Sequence, residues 1–207
     1  MADMTRQANI DKIIEIEVEM FTAMKTEEPA PENNLPAFKK MRWMTYSVLS
    51  AETLEAWRKD LEQAQADGRN TMIEKYLMIA GEMPIPGEEE ECCCATVAPK
   101  PEGLKQKICA DEDICDIVEI ENRWQEATAR KYPQSVQRQP DGGESFMHYL
   151  MCELHTWAPA TVRLYLQDVK NALGSGRNLA EERYDNLYAS IGKGSLREVE
   201  DSVRLNR

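Results

Sequence analysis

The chain has 207 residues, of which 42% are hydrophobic and 30% charged, as is ordinary for a folded protein. Its formal net charge of −12 disfavours nucleic-acid binding, since phosphate contacts need a cationic surface, and it also disfavours docking on an anionic membrane. The sequence shows no basic and apolar leader and no run of about twenty apolar residues, so we expect a cytoplasmic protein without a membrane span.

The first element is a predicted helix with one apolar stripe at helical spacing: Ile10, Ile13, Ile14, Met20, Phe21 and Met24. At 100° per residue, Glu17 falls in the middle of this stripe. A carboxylate on a buried face is costly unless it is protonated or paired. Glu17 is therefore a candidate functional or structural site.

Three further helices are predicted in the first half of the chain. The second runs from about Leu35 to Val48, and the third begins after Ser50, a favoured N-cap residue. Gly68 ends the third helix, and Asn70 or the following threonine caps the fourth. The motif GRN, which starts at Gly68, therefore indicates a helix stop followed by a helix start.

A linker follows, spelled EMPIPGEEEECCCATVAPKPEGLKQK, with four prolines, two glycines and a run of glutamates. Five of the six cysteines lie in or just after it: Cys92, Cys93, Cys94, Cys109 and Cys115. In a cytosolic chain they are reduced thiols or metal ligands rather than disulfides. Their density favours metal or redox chemistry, whereas the lack of a C-x-x-C pair favours solvated thiols.

The second half of the chain repeats the first. The segment IDKIIEIE matches ICDIVEIE, GRN recurs, and Asp60 recurs as Asp168, where each could pair with a neighbouring helix. We expect a first helical repeat over 1–83, a linker over 84–110 and a second repeat over 111–207. The predicted fold is all-α: a helical bundle of two similar tandem halves related by a pseudo-twofold axis. A last helix opens at the capping box SLRE.

Glu121 takes the place of Glu17 in the second half, again within an apolar stripe. If the halves pack around a twofold axis, the two carboxylates could approach each other and share a proton or hold a metal. The alternative is a structural ion pair for each glutamate, with Arg69 and Arg177 of the GRN motifs or with Arg42.

Both histidines of the chain lie on one predicted helix, which spans 144–156. His148, Cys152 and His155 fall at i, i+4 and i+7 and face the same way. Two imidazoles and a thiolate are plausible ligands for zinc or copper. The alternative is a half-buried packing stripe, because three residues of one helix rarely complete a tetrahedral site.

Several motifs in order resemble the bacterial domain-of-unknown-function 4125 family. They are I-x-x-I-I-E-I-E, S-x-E-T-L-x-x-W with its aspartate, GRN, E-K-Y, a second copy with K-Y-P and F-x-x-Y-L-x-x-E-L, and a closing S-L-R-E-V-E. The resemblance implies a Gln where this chain has Thr45 and an Arg, beside Glu153, where it has Met151. It implies a site altered in this member if those polar residues build one, and it carries no catalytic residue.

The chain lacks a Gly-rich phosphate loop, an H-E-x-x-H motif and a G-x-S-x-G motif. We therefore expect a non-enzymatic binding or accessory protein that presents a groove between its halves to a protein or a small ligand. The alternative is a metal-binding or redox protein that uses the cysteines, the histidine-bearing helix or the two buried glutamates. A metal ion is the one cofactor that these residues imply.

Overall fold

The structure is a computed structural model that describes residues 2–24, 35–86, 111–136 and 145–205. Four cysteines of the predicted linker site fall outside the described residues: Cys92, Cys93, Cys94 and Cys109. The expectations for these four thiols therefore stay predictions.

The described residues form nine α-helices and no strand, which confirms the all-helical fold expected from the sequence. The helices are α1 Ala2–Thr22, α2 Leu35–Tyr46, α3 Ala51–Ala66, α4 Thr71–Ile79, α5 Glu112–Lys131, α6 Phe146–Leu154, α7 Pro159–Gly174, α8 Leu179–Ser190 and α9 Leu196–Leu205. α2 and α6 end one turn or less before the predicted ends, as is common for helix termini.

Side-chain caps begin several of these helices. The Ser50 hydroxyl accepts from the Thr53 N–H, and the Asn70 side chain accepts from the N–H groups of Met72 and Ile73. Asn178 caps α8 in the same way through the N–H of its third following residue. Each of these bonds satisfies a backbone donor that has no partner inside its helix.

The two GRN glycines end α3 and α7 in the left-handed region of backbone space. Gly68 has φ 70° and Gly176 has φ 68°, values that cost an L-residue with a Cβ about 1–2 kcal/mol. The following arginine N–H then bonds back to the helix, to the carbonyl of Ala64 or of Ala172. The glycine of each GRN motif, at positive φ, is therefore the local cause of the helix end.

The helices pack as two groups that meet along three seams. α1 contacts α2, α3 and α4, while α5 contacts α6, α7 and α8. The groups meet where α3 packs on α7, α4 on α6 and α2 on α8. One main core cluster runs through both groups, with the side chains of Leu54, Leu61, Ile117 and Val169 fully buried. Burial of this apolar surface is the main stabilising term of the fold.

Two aspartates link α3 to α7, because each accepts hydrogen bonds at the start of the other's helix. The Asp168 carboxylate of α7 accepts from the Ser50 N–H at 2.9 Å and from the Thr53 hydroxyl at 2.7 Å, at the start of α3. The Asp60 carboxylate of α3 accepts from the Ala158 N–H at 3.0 Å, at the start of α7. Each helix thus supplies a carboxylate to the positive end of the other.

The last helix docks on the turn after α5. Leu196 is fully buried in a second, smaller apolar cluster with Ala129, Tyr132 and Val136. The Ser195 and Glu198 side chains form the capping box that the sequence predicts, each accepting from the other's backbone N–H.

Candidate functional site

Glu17 lies at the centre of a buried cluster of ionisable side chains. It is 1% exposed, and its carboxylate accepts from Arg42 Nε at 2.8 Å and Arg42 Nη2 at 2.7 Å. The Tyr46 hydroxyl also donates to it. Because α1 and α2 run antiparallel, the two residues of α2 that face α1 at this level, Arg42 and Tyr46, both reach the same carboxylate. Of the partners expected for Glu17, Arg42 is the one that the structure places there.

Glu153 brings a second carboxylate to the same guanidinium from α6. Arg42 Nη2 donates to Glu153 at 2.7 Å and Arg42 Nη1 donates at 3.1 Å. Lys75 Nζ donates at 3.4 Å to Glu153 Oε2, the same oxygen that accepts from Arg42 Nη1. The four buried side chains comprise two anions and two cations, so their charges balance without a bound ion.

Lys75 is enclosed by aromatic rings although its side chain carries a charge. It is 1% exposed and donates to the Tyr149 hydroxyl at 3.0 Å. Its ammonium lies 4.7 Å from the ring centre of Tyr149 and 5.1 Å from that of Tyr76. Aromatic faces attract a desolvated cation, so these rings and Glu153 together stabilise the buried ammonium.

The electrostatics of the cluster keep its central groups ionised. Burial by itself raises the pKa of Glu153, but the charges of Arg42 and Lys75 and their hydrogen bonds lower that pKa to about 2. Burial lowers the pKa of Arg42, and the carboxylates of Glu153 and Glu17 outweigh it and raise that pKa well above its ordinary value. For Tyr46, burial raises the pKa well above its ordinary value, so the phenol stays protonated and can donate a hydrogen bond.

Glu121 lies in a second, smaller cluster. It is 0% exposed and accepts from Arg183 Nη1 and Nη2, each at 2.6 Å, and from the Tyr165 hydroxyl at 2.8 Å. Burial, followed by the charge of Glu121, raises the pKa of Tyr165 well above its ordinary value. The pKa of Arg183 is raised because the charge of Glu121 outweighs the effect of burial.

A stack of aromatic rings lies between the two clusters. Trp57 donates from Nε1 to the Tyr46 hydroxyl at 3.0 Å and stacks on Trp157 with ring centres 4.4 Å apart. Trp157 in turn stacks on Tyr165, with ring centres 5.7 Å apart. The described contacts of Glu17 and Glu121 thus lead to different cations, and no hydrogen bond among the described residues joins the two carboxylates. The hypothesis that they share a proton or a metal is wrong for this arrangement.

The arginines of the GRN motifs do not pair with the buried glutamates. Arg69 binds Glu74 through two hydrogen bonds of 2.9 and 2.6 Å, and Arg177 binds Glu182 through two of 2.8 and 2.6 Å. About half of each arginine side chain is exposed. The alternative in which Arg69 and Arg177 pair with the buried glutamates is therefore wrong, because the turn leaves each arginine at the surface, beside the first turn of the next helix.

Sequence reasoning missed one buried cation after each GRN motif. Lys75 and Arg183 each stand five residues after the N-cap asparagine, within E-K-Y and E-R-Y. The signal was available: both halves place a cation at this position, on the helix face that carries Met72 in α4 and Leu179 in α8, both buried.

The predicted histidine and cysteine site does not form a three-ligand cluster. His148 Nε2 lies 3.8 Å from Cys152 Sγ, but His155 is the C-cap residue beyond the end of α6. Cys152 is completely buried and Cys115 is half-buried on α5. Within residues 2–24, 35–86, 111–136 and 145–205, no three His, Cys, Asp or Glu side chains converge as metal ligands.

The two positions at which the resemblance implied other residues have different surroundings. Met151 is 3% exposed and belongs to the main core. Thr45 is half-buried, and its hydroxyl donates to the Met41 carbonyl one turn earlier in α2.

An open groove of about 600 Å³ lies over α1 and α2. Its lining residues are Asp11, Ile14, Glu15, Val18, Glu19, Pro36, Lys39, Lys40, Trp43 and Ser190. Ser190 comes from the end of α8, so the groove borders both groups of helices. A second cavity of about 390 Å³ lies between α5 and α7, lined partly by Ile114, Trp157 and Val162.

The fold and the buried clusters define the class: an all-helical protein whose interior holds two sets of pre-paired ionisable side chains. The chain belongs to the DUF4125 family, a protein family of unknown function, whose model matches residues 7–201. No curated protein and no solved structure matched the chain. None of the helices that the structure describes is long and apolar enough to cross a membrane.

Proposed function

We propose that this protein is a binding or accessory protein with no catalytic reaction of its own, and that its ligand binds in the groove over α1 and α2. The observation that carries the proposal is the groove itself: about 600 Å³, open to solvent, with an apolar floor and charged rims. Cavities of this size and composition are typical of ligand sites. The buried carboxylates, by contrast, already accept hydrogen bonds from internal donors and are best explained as structural.

Trp43 makes the proposal testable by spectroscopy. It lines the groove and is half-buried, whereas the other three tryptophans, Trp57, Trp124 and Trp157, are 2–8% exposed. A ligand in the groove should therefore change the environment of one indole and leave the other three unaffected. The indole NMR signals of the four tryptophans separate these cases.

The first experiment is an NMR screen of small amphiphilic fragments against the full chain. We expect hits to shift the Trp43 indole signal together with the methyl signals of Ile14 and Val18. Val18→Lys should abolish these shifts, while the matched change Ala66→Lys, at an exposed position of α3, should leave them intact. Hits that shift only the signals of other tryptophans, or that bind Val18→Lys equally well, would contradict the proposal.

A second candidate is the metal-binding or redox role, and the one observation that favours it is the 3.8 Å approach of His148 to Cys152. Elemental analysis and a cobalt titration of untagged protein purified without air test it. Stoichiometric metal, with a thiolate-to-cobalt absorption band that Cys152→Ser removes, would establish this role. Metal-free protein with no such band would leave the groove as the candidate site.

We also propose that the two halves descend from one duplicated helical unit. Matching contacts support this: Asn70 and Asn178 both donate from the side chain to a carbonyl of the first helix of their half, at Met20 and at Trp124. The paired Arg–Glu bridges after each helix stop and the exchanged aspartates of α3 and α7 support it too. Under this proposal the boundaries expected from the sequence, 1–83 and 111–207, mark repeats of one fold.

A further inference from the structure

We infer that the occupant of the α1–α2 groove is an amphipathic helix of a partner protein that carries a row of basic residues along one flank. The inference rests on the proposed function and specifies its ligand. Four features of the groove lead to it: the spacing of the acidic rim, the spacing of the opposite wall, the rigid support below, and the weak internal contacts of the acids.

The α1 wall of the groove is a row of carboxylates above an apolar strip. Asp11, Glu15 and Glu19 are exposed and spaced four residues apart, so they stand about 6 Å from one another along the helix. Ile14 and Val18 lie below them and line the floor. A partner helix with Lys or Arg at every fourth position places one cation opposite each carboxylate.

The α2 wall has the complementary pattern. Pro36, Lys39, Lys40 and Trp43 fall at i, i+3, i+4 and i+7, a single stripe of the helix. The two lysines form a basic rim, and the Trp43 ring offers a large, half-buried apolar surface. Tryptophan is one of the residue types that most often dominate the binding energy of an interface.

The two walls run antiparallel for about 12 Å, the length of two helical turns. Phe21 of α1 stacks on Phe38 of α2 with ring centres 4.6 Å apart at one end, and Arg6 of α1 donates to the Leu49 carbonyl after α2 at the other. The Arg42–Glu17 pair joins the same helices underneath. Two helices held in this way present a fixed groove into which a third helix packs by its side-chain ridges.

The acids of the rim are accessible to a partner. Asp11 accepts from Gln7, Glu15 pairs with Lys12 and Glu19 accepts from Gln65, all at exposed positions. Exposed contacts of this kind contribute little stability, so a partner's basic residues can replace them at low cost. The chain's net charge of −12 adds long-range attraction for a basic segment.

The test uses the full chain and three stapled helical peptides of about 18 residues each. The first has a leucine stripe, a basic row on one flank and an acidic row on the other. The second has the same composition, but the charges alternate in sign along each flank. The third has acidic residues on both flanks. Binding is measured by calorimetry and by the Trp43 indole signal.

We expect the first peptide to bind at least about tenfold more tightly than the second and third, since rim charges set specificity. Glu15→Lys combined with Glu19→Lys should reverse this order in favour of the third peptide. The matched control is Glu119→Lys combined with Glu126→Lys, which makes the same charge change at exposed positions of α5 outside the groove. That control should keep the wild-type order of affinities.

Equal binding of the first two peptides would overturn the inference, as would an equal loss of affinity in the two double variants, which indicates only general attraction to an acidic protein. If small fragments shift the Trp43 signal and no peptide does, the groove is a small-molecule site: the inference fails and the proposed function stands. If neither fragments nor peptides shift it, both fail.

Discussion

Arg42 donates to two carboxylates from a position where 6% of its surface is exposed. Its charge is needed because Glu17 and Glu153 approach it from different helices, α1 and α6. Removal of one partner from a buried ionic cluster leaves an uncompensated charge, which costs far more than the intact cluster contributes. Replacement of Arg42 therefore tests directly how much its charge stabilises the cluster.

Arg42→Met should lower the free energy of unfolding by roughly 3–5 kcal/mol, because Glu17 loses its only charged partner in the described contacts. Arg69→Met is the control, since the Arg69 side chain is about half exposed and its pair with Glu74 should contribute less than about 1 kcal/mol. Urea unfolding followed by circular dichroism measures both. Similar losses of unfolding free energy in the two variants would show that the buried cluster stabilises the protein no more than a surface ion pair does.

The stability that Glu153 contributes should depend on pH. Its pKa is lowered from an ordinary 4.5 to about 2 in the folded protein, so its contribution is complete above pH 4.5 and is lost as the pH falls towards 2. The stability gap between the wild type and Glu153→Gln should thus be largest near neutral pH and shrink between pH 4.5 and 2.5. Urea unfolding at a series of pH values measures the gap, and a constant gap would contradict the assignment.

At the scale of elements, the helix ends follow from local chemistry. Gly176 follows the end of α7 with φ 68°, while Gly174, two residues earlier, is the last residue of the helix. Apart from the neighbouring residues and the backbone of the same helix, a Cβ added at either glycine would meet no atom within 4 Å. The two glycines therefore differ in backbone conformation and not in the space around them. This difference separates conformational strain from steric overlap.

Gly176→Ala should destabilise the protein by about 1 kcal/mol, because alanine is strained at positive φ. Gly174→Ala should stabilise it by up to about 1 kcal/mol, because alanine favours the helix and restricts the unfolded chain. Thermal unfolding of the two variants checks the opposite signs. A loss of stability in both would show that the end of α7 tolerates no side chain.

At the scale of the whole molecule, the two groups of helices are coupled through the exchanged carboxylates of Asp60 and Asp168. Each carboxylate serves the first turn of a helix in the other group. The α3–α7 seam, together with the stack of Trp57 on Trp157, therefore links the stability of the two halves.

Asp168→Ala should cost about 1–2 kcal/mol, since it removes two bonds at the start of α3 from a residue of α7. Asp60→Ala should cost about 1 kcal/mol, since it removes one bond at the start of α7. Asp116→Ala is the control, because its ion pair with Lys170 is more than half exposed. Urea unfolding measures all three, and an Asp116 variant as unstable as the others would contradict the role of the seam.

Local sequence patterns were sufficient to predict the helices, the caps of α3, α4, α8 and α9, and the burial of Glu17 and Glu121. Apolar periodicity, cap residues and helix-stop glycines act over a few residues, so their consequences can be read locally. The same reasoning included Arg42 among the partners of Glu17 but assigned Arg69 and Arg177 wrongly. Those arginines pair with Glu74 and Glu182, five residues further along the chain, and helical periodicity does not indicate a contact at that spacing.

Which charges meet in the core and which surface stays open follow from the packing of the helices. Glu153 joins Arg42 across 111 residues and Lys75 across 78, and the groove exists because α1 and α2 lie side by side. Such contacts depend on how helices pack against one another, which local propensity does not encode. The free energy of burying a charge then selects among the cations within reach, so the partners of a buried carboxylate are fixed by packing.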